Sequence, residues 1–409
     1  MSSIQSPKTL PEHSMLVHVG PHKTGTTALQ LALKKLDSED ARAAGAEYIT
    51  SGKRENANTA SLALDSVAAT KYSIGSPPPR HYWDDFAKHV NDSSAPRVVV
   101  SAEQFALLSI EGVKHFVKTF PGRKLHILLA LRPISELLPS QWQQRVQGGH
   151  ETKSFDEWLE ETLNEWSQGN YGSNFWYRHH YSQLIRRWGD LVGLSNVTAV
   201  VLDKTDRTRT FRATEQLLGV REGALKDRSG KVVNRSLTLE ESESLRSMYT
   251  NLEQHGLGYL SSNLHHMLSP SALIKQTRTP HSFERKILLP KHAVQRVLEI
   301  QSDLVDPLDS LGINIIGELN LLRGVDNVMQ TDDQSSEAST VPVDLVGWVA
   351  TGIIHESGLS QGWVPPKSDP QTPITLPEVW LRRATGRQLF RELWRRVGAR
   401  FRISMKMRD

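Results

Sequence analysis

The feature that most restricts the fold of this chain is an alternation of short β-rich apolar runs with runs of helical spacing along the first half of its 409 residues. Residues 15–19, 47–50, 97–101, 125–131 and 197–202 read as strands, and the cores "VVV" and "TAVVL" carry no polar alternation, as expected of strands covered on both faces. Between them, 27–36, 112–120, 135–146, 155–163 and 177–188 place apolar residues at helical intervals. Strand and helix in strict alternation predict an α/β fold with a central, mostly parallel sheet flanked by helices. Ligands of such a sheet gather at the carboxyl ends of its strands.

The absence of cysteine removes disulfides, thiolate metal sites and cysteine nucleophiles, so any chemistry runs on oxygen and nitrogen groups. No histidine has acidic neighbours at metal-ligand spacing, and no metal is expected. The longest apolar run, "LHILLAL", is far too short to cross a bilayer, and the N-terminus shows no export signal. A cytoplasmic protein is expected. The stretch "DNVMQTDDQSSEAST" loses most apolar residues, which suggests a folded domain over 1–325, a solvated linker over 326–345 and a C-terminal extension over 346–409.

Net charge is unevenly spread. Residues 378–409 hold ten Lys or Arg against three Asp or Glu, a local +7, so a chain of net +4 has a main body of 4 − 7 = −3. The body is therefore not expected to bind nucleic acid specifically. In the tail, Phe390, Leu393, Trp394, Val397 and Phe401 recur at helical spacing with Arg387, Arg391, Arg395 and Arg402 around them. Such a helix can lie on an anionic membrane surface, which would place the protein peripherally at the inner membrane face; it can equally dock on its own domain or a partner subunit. The oligomeric state is not readable.

Chemistry concentrates in three segments. In "MLVHVGPHKTGTTALQLALKKL" a strand, a glycine-bearing loop and a helix starting at two threonines bring backbone N–H groups and a helix N-terminus around one concavity, with Lys23 adding a full charge. A nucleotide-triphosphate loop, GxxxxGK(S/T), puts its lysine directly after the last glycine, whereas here Lys23 precedes Gly25 by two. In "LLALRPISELLPSQW" a strand ends at Arg132, and Ser140 follows eight residues later on a helix, where both side chains can face the same end of the sheet. In "RVVVSAEQFALLS" a buried strand delivers Glu103 to the cleft, though a glutamate there also suits the first turn of a helix as an N-terminal cap residue.

Taken in this order, the segments resemble the sulfotransferases that use 3′-phosphoadenosine 5′-phosphosulfate, in particular bacterial-type members, whose 5′-phosphosulfate loop has the form PxKTGTT. The match runs over 21–29. "NFWYRHHYSQLIRRWGDLVGLSNVTAVVLD", "RSGKVVNRSLTLEE" and "LGINIIGELNLL" extend it more weakly. The resemblance implies that Lys23, Thr24, Gly25, Thr26 and Thr27 hold the 5′-phosphate and that Arg132 and Ser140 bind the 3′-phosphate. Sulfuryl transfer needs a base for the acceptor hydroxyl, and Glu103 is the candidate, with His22, beside Lys23, as its rival. By analogy the acceptor is a glycan or glycolipid hydroxyl; a small phenol stays open. Arg228, Lys231 and Arg235 lack the family's Arg-Lys-Gly form and are left unassigned. A phosphoryl-transferring kinase or NTPase, opposed by the lysine register and by the absence of an evident acidic strand end for Mg²⁺, and a non-catalytic nucleotide-binding scaffold stand as alternatives.

Overall fold

The computed structural model describes residues 8–49, 57–71, 77–227, 235–255, 270–324, 338 and 340–360. Its contacts group the chain into two compact units, one formed by Met1–Gln144, Lys153–Asn234 and Ile287–Glu337, the other by Arg145–Thr152, Arg235–Lys286 and Ala338–Asp409.

The first unit is built on six strands: β1 (Ser14–Val19), β2 (Ala46–Tyr48), β3 (Arg97–Ala102), β4 (Lys124–Leu131), β5 (Val197–Val201) and β6 (Asn314–Ile316). They form one sheet in the order β2-β3-β1-β4-β5-β6, and every pairing is parallel. The expected α/β class is thus present, with five strands within three residues of their expected limits. The sixth, β6, was not anticipated as a strand. From β1 the chain travels to one side for β2 and β3 and to the other for β4, β5 and β6, so the strand order reverses beside β1. In open α/β sheets that reversal opens a crevice at the carboxyl ends.

All six residues of β1 are buried, as the central position requires. On one side Leu16, Val99, Leu128 and Val200 pack with Leu29 and Leu33 of the helix Thr26–Lys34 and with Phe211, Leu217 and Leu218 of the helix Arg209–Leu218. A separate aromatic cluster joins Phe105, Phe116 and Trp188, with edge-to-face centroid distances of 5.2 Å (Phe105–Phe116) and 5.3 Å (Phe116–Trp188). Polar side chains within the sheet are matched across strands: His18 Nδ1 lies 2.8 Å from Ser101 Oγ, and His126 Nε2 lies 2.8 Å from Thr198 Oγ1. Burial holds the His18 imidazole down to about 4, so it is a neutral core residue.

The helical run expected over 177–188 is two helices, Asn174–His179 and Tyr181–Val192, parted at His180, whose backbone is extended at ψ 93°. Tryptophan and tyrosine explain the break: the His180 ring stands 5.2 Å from Trp166 and 4.7 Å from Tyr171, and seating it there turns the chain.

The second unit rests on the helices Leu239–Gln254, Pro270–Thr277 and Val343–Ser360. A buried ionic knot ties them. Arg278 bonds Glu241 at 2.8 Å, Glu284 at 2.6 Å and Asp344 at 2.9 Å, and the side chains of Glu241 and Glu284 are fully shielded from solvent. Gly352 approaches Pro270 so closely that a Cβ would lie 2.5 Å from its Cα. Most of the linker expected at 326–345, and the basic tail, lie outside the described residues. Among the described residues no helix is long and apolar enough to cross a membrane.

Candidate functional site

The loop after β1 is shaped by its own sequence. Gly20 follows the strand where a Cβ would sit 2.1 Å from Thr26 Oγ1, so only glycine lets the chain double back onto the helix start. Lys23 has a φ of 67° and Gly25 a φ of 84°, two left-handed residues within three positions. For glycine this costs nothing, whereas for lysine it is strain held by the surrounding structure. Thr24 Oγ1 donates to the Pro21 carbonyl at 2.6 Å and closes the turn. Gln30 Nε2 donates to the Ser101 carbonyl at 3.1 Å, and the Gly20 amide donates to the Ala102 carbonyl at 3.3 Å, which fastens the loop and its helix to β3.

The loop leaves donors exposed to a ligand. Among the described residues no protein acceptor takes the backbone N–H of Thr24, Gly25, Thr26 or Thr27, and the buried Thr26 hydroxyl has no hydrogen-bond partner. Unclaimed amides at a helix N-terminus, a left-handed nest and a lysine together form an anion cradle. Such a donor set is of the kind that suits an anion.

Glu103 stands at the carboxyl end of β3, whose Ala102 pairs in register with Val19 of β1. It precedes a short 3-10 turn, Gln104–Leu107, but its side chain makes no capping bond there. The Glu103 amide is held by Asn58 Oδ1 at 2.9 Å, and the side chain stays 25% exposed. Its Oε2 lies 3.7 Å from Nε2 of the buried His22, beyond hydrogen-bond length. The two groups are tuned in opposite senses. Burial pushes the Glu103 carboxyl up, against the pull of Lys23 and Arg178. Burial, with Arg178, His179 and Lys23, holds His22 well below its ordinary value. The approach is therefore that of a carboxyl and a neutral imidazole, not of an ion pair.

Arg132 continues from β4 at the other flank of β1. Its Nη1 donates to the Lys23 carbonyl at 3.0 Å, and its Nε donates to Glu136 Oε2 at 3.0 Å. Lys204 pairs with the other Glu136 oxygen at 3.0 Å, so the group carries one positive charge in excess. On the helix Ile134–Gln147, Glu136, Ser140 and Gln144 follow at intervals of four and share a face. One end of that stripe holds Arg132; at the other, Gln144 Nε2 meets His22 Nδ1 at 3.1 Å. Half-buried Ser140 lies between the two residues of the helix face that touch the loop or its arginine.

Several members were not anticipated. Gln144 and Glu136 contact residues more than a hundred positions away or act through Arg132, and no local pattern marks them. Arg178, 5% exposed, sits on Asn174–His179 and acts electrostatically on both His22 and Glu103. Its place between aromatic residues in "FWYRHHY" was the available signal. The neighbouring His179 is buried and brought to about 3 by burial, Arg178 and Arg132, so its ring is neutral, and it packs 4.8 Å from Phe175. Arg235 is committed elsewhere, bonded to Glu241 through both terminal nitrogens at 2.7 Å; Arg228 and Lys231 lie outside the described residues.

No family model matches the chain, and no curated protein matches it. Among solved structures, a sulfotransferase from Alicyclobacillus acidocaldarius is similar at 16% identity and a TM-score of 0.37, covering 59% of this chain and 94% of that one. A likeness of that size carries no weight for function; the side chains at the carboxyl ends of β1, β3 and β4 do.

Proposed function

We propose that the protein is a sulfotransferase that moves a sulfonate group from 3′-phosphoadenosine 5′-phosphosulfate to an acceptor hydroxyl of the glycan or glycolipid class. The observation that carries the reading is the juxtaposition of a lysine-bearing anion cradle after β1 with a carboxyl of raised proton affinity after the adjacent β3. The donor supplies an electrophilic sulfur: the acceptor oxygen bonds to it, the bridging S–O bond breaks, and 3′-phosphoadenosine 5′-phosphate departs.

The chain's residues divide that work. The amides of Thr24, Gly25, Thr26 and Thr27 and the Thr26 hydroxyl hold the 5′-phosphate, and Lys23 balances charge on the departing oxygen. Arg132 and Ser140 hold the 3′-phosphate, the arginine through its fork and the serine through its hydroxyl. Glu103 takes the acceptor proton. A carboxylate whose pKa is raised by burial is a stronger base than one in water. His22 is the poorer candidate because its cationic form, which proton uptake would create, is opposed by Lys23 and Arg178. For a lipid-linked acceptor, the basic tail would keep the enzyme at the inner membrane surface.

Radiolabelled phosphosulfate donor and ATP with Mg²⁺, each offered with a panel of sugars, lipid-linked glycans and phenols, test the reading. Label transferred from the phosphosulfate donor alone supports it. Phosphoryl transfer from ATP establishes a kinase, and nucleotide binding with no transfer establishes a scaffold.

A further inference from the structure

Two buried polar groups stand at the root of the loop after β1. His18 of β1 is 1% exposed, and Thr26, the first residue of the helix Thr26–Lys34, is 2% exposed. Neither His18 Nε2 nor Thr26 Oγ1 has a hydrogen-bond partner among the described residues. Buried polar atoms are paired in the great majority of folded proteins, so two orphans side by side require a cause.

Leu16 and His18 alternate onto the same face of β1, and Leu16 packs with Leu29 and Leu33 of that helix. The point a Gly20 Cβ would take is 2.1 Å from Thr26 Oγ1 and 2.9 Å from His18 Cε1, the ring carbon bonded to Nε2. The threonine hydroxyl thus lies beside that edge of the imidazole. The other ring nitrogen is engaged: Nδ1 lies 2.8 Å from Oγ of Ser101, the register partner of His18 on β3. Ser101 is 3% exposed, and among the described residues Nδ1 is the partner its hydroxyl has. The serine proton therefore goes to Nδ1. Burial keeps the ring neutral, so its own proton sits on Nε2. Gln30, on the same helix as Thr26, donates to the Ser101 carbonyl at 3.1 Å, so histidine, serine and helix are held as one support.

We propose that His18 is a positioning residue for the donor: its Nε2–H donates to the Thr26 hydroxyl oxygen, directly or through one water, and so commits the hydroxyl's own proton to the 5′-phosphate. This rests on the reading that the loop holds a nucleotide phosphate. Three donors then run in one direction, Ser101 to His18, His18 to Thr26 and Thr26 to the anion, an order in which each bond polarises the next. With the opposite tautomer the Thr26 proton would be drawn to Nε2, and the phosphate would meet a lone pair.

The test uses the full-length protein and calorimetry with 3′-phosphoadenosine 5′-phosphate and with adenosine 3′-phosphate, which lacks the 5′-phosphate. Thr26→Val should weaken the first nucleotide by about tenfold and His18→Leu by about fivefold. The double variant should stay within about twofold of Thr26→Val, because the histidine acts only through the hydroxyl. His18→Gln, which keeps an N–H donor, should recover part of the loss. Adenosine 3′-phosphate should bind every variant within about twofold of wild type, which also reports that they fold. In wild type, nitrogen–proton correlation spectra of the imidazoles, assigned by the signal that His18→Gln removes, should place the His18 proton on Nε2. That measurement stands even where His18→Leu does not fold. Losses that simply add in the double variant, equal loss of both nucleotides, His18→Gln no better than His18→Leu, or a His18 proton on Nδ1 each overturn the proposal. Wild type that binds ATP but not 3′-phosphoadenosine 5′-phosphate removes the sulfotransferase reading alone, and the same cycle with ATP against adenosine then decides this proposal. Wild type that binds neither overturns both.

Discussion

Glu103 Oε2 and His22 Nε2 lie 3.7 Å apart at the ends of two paired strands, and their surroundings separate their proton affinities. Burial raises Glu103, while burial first, then Arg178, His179 and Lys23, lower His22. A base must be deprotonated to work, so activity that depends on Glu103 is lost as pH falls through a value above the ordinary 4.5. The acid limb of kcat/KM should therefore lie above the usual carboxylate range. Glu103→Gln should lower kcat by roughly a hundredfold or more and remove that limb, with nucleotide affinity nearly intact. If His22→Gln does this and Glu103→Gln does not, the roles are exchanged.

Lys23 is a lysine in a conformation that favours glycine, with φ 67°. Left-handed backbone costs an ordinary residue about 1–2 kcal/mol, and glycine returns part of that through its freer unfolded chain, about 0.4–1 kcal/mol. Lys23→Gly should thus be as stable as Lys23→Ala or up to about 1.6 kcal/mol more so, by denaturant unfolding. Both should lose a hundredfold or more in turnover, on the order of 3 kcal/mol. A Lys23→Ala variant clearly more stable than Lys23→Gly would show that no strain is held there.

Arg132 donates to the Lys23 carbonyl and Ser140 lies on the helix Ile134–Gln147 that follows it, and the 3′-phosphate is their proposed ligand. Arg132→Ala and Ser140→Ala should each weaken 3′-phosphoadenosine 5′-phosphate by about tenfold or more, the scale of a hydrogen bond to a charged group, yet hardly affect adenosine 5′-phosphate. Calorimetry with the two nucleotides measures the contrast. Equal losses for both would reduce these residues to supports of the loop.

What could be read from the chain and what could not follow from the range of the interactions. β1, β3, β4 and β5 were legible because central strands need unbroken β-branched and aliphatic runs, and Val98–Val99–Val100 provides one. β6 is three residues, Asn314–Ile316, too short for any period to show. The loop was legible because its conformation demands glycine, at Gly20 for close approach and at Gly25 for a left-handed turn, and that demand is written locally. Gln144 meets His22 across 122 residues, and Arg178 reaches Glu103 from a separate helix; only tertiary packing makes these pairs. The cap reading of Glu103 failed for a like reason: Asn58 takes its amide, and its carboxyl faces His22.

Arg278 is 1% exposed and holds two fully shielded carboxylates together with Asp344. Removing one partner of a buried ion network leaves uncompensated charge and typically costs about 3–5 kcal/mol. Arg278→Ala should lower the unfolding free energy of the second unit by about that amount. Arg278→Ala, Glu241→Gln and Glu284→Gln combined should recover part of the loss, since the stranded charges are then gone. A single variant as stable as wild type would mean that water replaces the guanidinium.

The tail experiment depends on where the second unit ends. Asp344 and Gly352 of the helix Val343–Ser360 are engaged with Arg278 and Pro270, so truncation at 326 would cut into a packed element; the proper site is after Ser360. Beyond it, Phe390, Leu393, Trp394, Val397 and Phe401 share a helical interval with the arginines between them. Each basic residue near an anionic surface contributes about 1 kcal/mol at low salt, so the local +7 is enough for measurable binding and is screened as salt rises. Full-length protein should co-sediment with phosphatidylserine vesicles at low ionic strength and release from them at high ionic strength. Protein ending at Ser360 should remain in the supernatant yet bind 3′-phosphoadenosine 5′-phosphate with unchanged affinity. Full-length protein that ignores those vesicles at low salt removes the membrane from the reading, and nucleotide binding lost on truncation makes the tail part of the fold.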